Sequence, residues 1–131
     1  MKILELNLVN PTNGNEYCAF EKYLEDDASV FFHMTNAVNM GSIVEKGFMS
    51  SQQLNATGLG SVSYAKKNSS CFAHLGNSSD KDLVIFAVRF DLSEIGNANT
   101  KEDASTLLVF SNDLQPEILG YVALPYGYEL K

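Results

Sequence analysis

DLVIFAVRFDL, residues 82–92, is the strongest strand signal in the chain. It is a nearly continuous run of β-branched and aromatic residues, apolar on both alternating faces, so it predicts a central strand covered on both sides. Working outward, the polar stretch SEIGNANTKEDAS (93–105) reads as a loop. TLLVFS (106–111) and EILGYVALPYGYEL (117–130) read as two further strands, separated by NDLQP. Upstream, KKNSSCFAHLG (66–76) predicts a helix with Cys71, Phe72 and Leu75 on its apolar side, and LNATGLGSVSYA (54–65) a glycine-bearing loop running into a brief strand. Residues 36–46 predict a helix opened by Asn36 as cap, with Val38, Ile43 and Val44 on one face and Gly47 as a left-handed stop. Before it lie a short strand, SVFFHM (29–34), and a helix at 16–25 carrying Tyr17, Phe20 and Leu24. The alternating strand KILELNLV (2–9) comes first, closed by the turn formers that follow it. Helices early and strands late imply an α+β fold rather than an alternating doubly wound sheet.

The 131 residues, 45% apolar and 11% aromatic, suffice for one core, and no Pro/Gly/Ser-rich linker divides them. The expectation is a single domain over 1–131. The opening residues carry Glu5 within a short apolar run, too brief and too polar for a signal peptide or a membrane span, so a cytoplasmic protein is expected. Cys18 and Cys71 are read as reduced thiols, since such a core needs no covalent staple. A net charge of −7, a single arginine (Arg89) and one adjacent basic pair (Lys66-Lys67) disfavour binding to a phosphate backbone. Such an acidic surface suits a basic protein partner, and it is equally a common route to solubility.

Three places could carry chemistry. His33-Met34-Thr35 ends an apolar strand, where a polar side chain leaves the sheet towards a cleft; a satisfied core histidine would look the same. GLGSVSYAKKNSSCF (58–72) combines small residues, which let a loop approach a flat ligand, with the ring faces of Tyr64 and Phe72, although both rings also suit a core. In NDLQPEILGYV (112–122), Gln115 and Glu117 stand two apart at a strand start, so alternation places both on one face, where a carboxylate can stabilise developing positive charge. Cys71-x-x-His74 has a metal-like spacing without a second pair, so no metal is expected. A phosphate-binding glycine motif is absent, because GLGS lacks the third glycine and the strand–helix setting.

Taken together and in this order, His-x-Thr at a strand end, the helix NAVNMGSIVEKGF after it, a Gly-Ser-Tyr loop and a late strand-opening Glu resemble the ADP-ribosyltransferase superfamily. The likeness covers about residues 29–124. It is nearest to the His, Tyr, Glu branch shared by diphtheria-type toxins and poly(ADP-ribose) polymerases. The resemblance implies a split, mostly antiparallel pair of sheets with short helices flanking a cleft for NAD⁺, which serves as substrate. It implies that His33 bonds the ribose 2′-hydroxyl, that the backbone of Met34 (where the family often has Gly) holds the nicotinamide amide, and that Thr35 supports the strand end. Tyr64 and Phe72 would sandwich the nicotinamide, and Glu117 would stabilise the cationic ribose. Gln115 would orient the acceptor. SVS at 61–63 also fits the Ser-Thr-Ser strand of the arginine-type branch, so Ser61, Ser63 and Tyr64 all remain candidates for the middle motif. The activity implied is mono-ADP-ribosylation of a macromolecule, a protein rather than a nucleic acid, by a compact bacterial or phage toxin or effector. Two alternatives are a non-catalytic interaction or inhibitor module on the same scaffold, and an NAD⁺-dependent RNA 2′-phosphotransferase, which would need more basic residues.

Overall fold

The computed structural model describes residues 5–6, 20–48, 62–67, 82–110 and 114–124. In chain order the elements are α1 (Lys22–Glu25), β1 (Val30–Asn36), a 3₁₀ turn (Ala37–Asn39), α2 (Met40–Lys46), β2 (Val62–Ala65) and β3 (Leu83–Arg89). They continue with α3 (Leu92–Asn97), β4 (Thr100–Glu102), β5 (Thr106–Val109) and β6 (Glu117–Leu124). The strands form one six-stranded sheet in the order β4-β5-β2-β1-β3-β6, every neighbour antiparallel. The protein is thus α+β, a mostly antiparallel sheet with a few short helices.

β3 is the axis of the sheet, as its composition predicts. Alternation sends Ile85 and Ala87 into one layer with Val30, Phe32, Val122, Leu124, Phe20 and Leu24. Val84, Phe86 and Val88 enter the other, with Phe31, Tyr64, Phe90, Ile95 and Leu107. Two apolar layers on one sheet explain why the strand reads as continuous rather than alternating. The N-terminal segment reaches the sheet at Glu5, which bridges Tyr121 in parallel, and Leu6 N–H donates to the Tyr121 carbonyl at 2.7 Å. The remainder of the strand expected over 2–9 lies outside the described residues.

Two irregularities interrupt the strand ladders. β1 and β3 pair over seven consecutive positions, whereas β1 and β2 pair only at Phe32–Ala65. Among the described residues the β1–β2 junction is therefore the least paired in the sheet, between the ladders β4-β5-β2 and β1-β3-β6. The second is a bulge between β3 and β6: Ala87 faces Gly120 but Val88 faces Ile118, leaving Leu119 as the extra residue.

Several expectations need correction. The segment 36–46 opens as a 3₁₀ turn, and Asn36 ends β1 with no side-chain cap bond. A 3₁₀ turn advances about 120° per residue instead of about 100°, which carries Val38 off the face of Ile43. It is accordingly 88% exposed. Gly47 does have a positive φ of 85°, but its ψ of −179° is extended rather than helical, so the chain is thrown sharply away from α2. The segment expected as a loop over 93–105 instead holds most of α3, which starts at Leu92, and all of β4. The Asp91 carboxylate caps α3 by accepting from Ser93 N–H at 2.9 Å, and β4 exists because Thr100, Lys101 and Glu102 pair with β5. Only residues 22–25 of the helix expected over 16–25 are helical among those described. The helix expected over 66–76 falls outside the described residues beyond Lys67. Among the described residues no helix is long and apolar enough to cross a membrane.

Candidate functional site

His33 stands at the β1–β2 junction. One residue beyond the Phe32–Ala65 rung, the Ser63 carbonyl lies 2.8 Å from His33 Nδ1. A carbonyl only accepts, so Nδ1 carries the proton, and the neutral ring keeps its lone pair on Nε2. Burial of the ring lowers the His33 pKa below its ordinary value; the bond to Ser63 favours the protonated ring and offsets this only in part. At neutral pH the imidazole is uncharged, an acceptor at Nε2 for a ligand hydroxyl.

The lowered His33 pKa has a thermodynamic sign. Above pH 6.5 the ring is neutral both folded and unfolded. As pH falls below that value the unfolded ring takes a proton the folded one refuses, so stability is lost until the folded pKa is reached. Unfolding free energies measured between pH 7 and pH 5 should decline, with this group adding a slope of at most about 1.4 kcal/mol per pH unit. His33→Asn, which can still donate to Ser63 but does not titrate, should remove that slope. An unchanged slope in the variant would show that other groups cause it.

Aromatic rings wall the site. Phe48 packs edge-on against His33 (centroids 5.2 Å), Tyr64 (5.4 Å) and Phe86 (5.6 Å), and Tyr64 in turn meets Phe90 at 5.0 Å. The His33 and Tyr64 rings are 5.6 Å apart. Edge-to-face geometry sets the positive rim of one ring on the negative face of the next. Tyr64 is 1% exposed, and burial pushes its phenol well above the ordinary tyrosine range, so it remains protonated at any physiological pH. Phe48 is held by Gln115, whose Oε1 accepts from Phe48 N–H at 2.8 Å while its Nε2 donates to the Phe48 carbonyl at 2.9 Å. Beside these rings a cavity of about 120 Å³ opens between the end of β1 and α2, lined by His33, Thr35, Asn39, Ser42, Ile43 and the Gly47-Phe48 segment. Asn39 Nδ2 donates to Thr35 Oγ1 at 3.0 Å, tying the 3₁₀ turn to the strand end.

The structure places His33 and Thr35 on the cavity and leaves the acid apart. Tyr64 stands behind the wall, 1% exposed and not among the cavity's lining residues, so it offers no open face for a ring to stack on. Ser63 contributes its backbone carbonyl, while its side chain lies on the other face of β2. Glu117 pairs with Arg89 across β3 and β6, on the side of the sheet opposite His33, its carboxylate 3.9 Å from the guanidinium. Two strand spacings and three residue steps put it roughly 14 Å from His33. Gln115 precedes β6 rather than belonging to it, so strand alternation does not place it beside Glu117. Met34 directs its side chain to the opposite layer, while its backbone pairs in register with Ile85. Phe72 and Ser61 lie outside the described residues. Sequence reasoning missed Phe48, Asn39 and Ser42 as wall residues. The signal for Phe48 was the glycine before it, which turns the chain back onto the sheet.

A larger cavity of about 370 Å³ lies at the other end of the β1–β2 junction, floored by Val30 and Phe31. Its charged groups already answer one another: Lys66 with Glu102, Lys67 with Glu25 at 3.9 Å, and Asp27 with Arg89 at 3.3 Å. Each charged residue that lines it thus has a partner of opposite sign among the described residues, whereas the His33 cavity offers a neutral acceptor, hydroxyls, an amide and ring edges. Comparison with protein-family models, with curated proteins and with solved structures finds no match to this chain.

Proposed function

We propose that this protein is an NAD⁺-dependent mono-ADP-ribosyltransferase acting on a protein acceptor, its His33 cavity receiving the nicotinamide–ribose end of NAD⁺. The observation that carries the reading is the pairing of His33 on β1 with Tyr64 on β2, rings 5.6 Å apart on one side of an antiparallel sheet that, among the described residues, is least paired between those strands. A site of about 120 Å³ is below the roughly 300–1,000 Å³ of a complete small-molecule pocket, so it would enclose part of the nicotinamide–ribose end and leave the rest of the dinucleotide outside it. The bond from ribose C1′ to nicotinamide breaks with cationic character on the sugar. A ribose hydroxyl donating to neutral Nε2 of His33 would fix the sugar as that charge develops, and the surrounding rings would keep water from it. The net charge of −7 with a single arginine favours a protein over a nucleic acid as acceptor.

A second reading has its own support. Because Glu117 faces the other layer beside Arg89, a module that binds NAD⁺ without transferring ADP-ribose fits this arrangement as well. Incubation with labelled NAD⁺ and bacterial lysate separates the two. Transfer to a discrete protein band by wild type, lost in His33→Ala, supports the transferase. If Glu117→Gln abolishes transfer, the acid must reach the site during turnover; if it does not, another residue supplies the carboxylate. Stabilisation by NAD⁺ without transfer would favour the binding module, and neither effect would overturn both.

A further inference from the structure

Gln115 stands behind the Gly47-Phe48 segment that lines the His33 cavity, and its amide engages the backbone of Phe48. Both of its side-chain hydrogen bonds to Phe48 are to backbone, across 67 positions of sequence. One amide thus satisfies the N–H and the C=O of a single residue, as a neighbouring strand would. Phe48 needs this, since it lies one residue past the Gly47 cap of α2 and belongs to no helix or strand that could pair its backbone. The approach is close: a Cβ on Gly47 would lie 2.8 Å from Gln115 Oε1. Glycine at 47 and glutamine at 115 are therefore one fitted arrangement.

We propose that Gln115 is a positioning residue which, by clamping the backbone of Phe48, sets the aromatic wall of the His33 cavity and through it the environment of the imidazole. The proposal rests on the reading of that cavity as the nicotinamide–ribose site. Phe48 is the joint between the two: its backbone belongs to Gln115, and its ring abuts His33, Tyr64 and Phe86. Leucine at 115 fills similar space and makes neither bond. Glutamate can accept from Phe48 N–H but, ionised, cannot donate to its carbonyl. Asparagine, one methylene shorter, would not span the same gap.

His33 itself reports on the wall. Tyr64 is the titratable ring packed against it, the residues that line the cavity with His33 carry no ionisable group, and Glu45 and Lys46 on α2 are exposed. Water admitted by a displaced Phe48 would relieve the burial that disfavours the imidazolium.

The test compares wild type with Gln115→Leu, Gln115→Glu and the remote control Lys101→Ala. It follows the His33 ring by NMR titration, NAD⁺ affinity by calorimetry, and Tm. For Gln115→Leu the His33 titration should move up towards 6.5 and NAD⁺ affinity should fall about tenfold, the order expected when two hydrogen bonds that fix a binding wall are lost. Gln115→Glu should fall between, and Lys101→Ala should match wild type. A lower Tm with unchanged His33 titration and unchanged affinity would make Gln115 merely structural and overturn the proposal. Should Gln115→Leu fail to fold, the same criteria apply to Gln115→Glu. If wild type binds no NAD⁺, the functional reading falls, while the His33 titration still decides whether Gln115 positions the wall.

Discussion

Phe86→Ala is expected to cost about 3–5 kcal/mol of unfolding free energy, measured by urea denaturation, as large-to-small changes at fully buried aromatic sites do. Phe86 is 0% exposed at the middle of β3, flanked in register by His33 on β1 and Tyr121 on β6. Its ring meets Phe48 at 5.6 Å and Tyr121 at 6.4 Å. Strands on both sides hold the backbone in place, so the void left by the ring cannot close by local collapse. Against a typical total of about 5–15 kcal/mol, the variant would be marginal at 37 °C. Phe110, 39% exposed at the end of β5, supplies the contrast, and its alanine variant should lose far less. A loss at Phe86 under about 1.5 kcal/mol would mean that this layer repacks more freely than two flanking strands permit.

Gly47→Ala should cost about 2–4 kcal/mol, for two separable reasons. At φ 85° and ψ −179° the backbone occupies a region that is essentially glycine-only, and a side chain there costs about 1–3 kcal/mol. The new methyl would also press on Gln115 Oε1, 2.8 Å away, and relieving that contact weakens hydrogen bonds worth about 1 kcal/mol each. The backbone part persists whatever stands at 115, whereas the steric part needs the glutamine. A double-mutant cycle with Gln115→Ala should therefore show coupling of at least about 0.5 kcal/mol. Strict additivity would place the whole cost in the backbone and remove the argument that Gly47 and Gln115 are fitted to each other.

What the sequence reveals depends on how local the cause is. β3 is legible because Leu83–Val88 is an unbroken apolar run rich in β-branched and aromatic residues, and β1 because it opens on Val30-Phe31-Phe32, all buried. α3 and β4 are not, because one owes its start to a single Asp91 cap and the other its existence to pairing with β5. Nothing in β1 or β2 alone specifies that His33 and Tyr64 become neighbours, since their rings meet only through the pairing of the two strands. The Phe48–Gln115 clamp spans 67 residues and leaves no local trace. Glu117 is the sharpest case. If the register of Leu83–Ala87 ran on unbroken, Leu119 would face Val88 and Glu117 would stand opposite Phe90, on the His33 side; the bulge at Leu119 moves it opposite Arg89. A one-residue slip between two strands is invisible to any reading of alternation within one of them.

With Phe32–Ala65 the one rung between β1 and β2 among the described residues, the distance from His33 to Tyr64 is a property of neither ladder. Each ring rides on a plate stiffened by its own ladder, β1 with β3 and β6, β2 with β5 and β4. Their separation is set by the angle at which the plates meet, with the His33–Ser63 bond as a second stay beside the rung. In mechanical terms the candidate site is a joint rather than a socket, and a change anywhere along either plate that alters this angle reaches both rings at once.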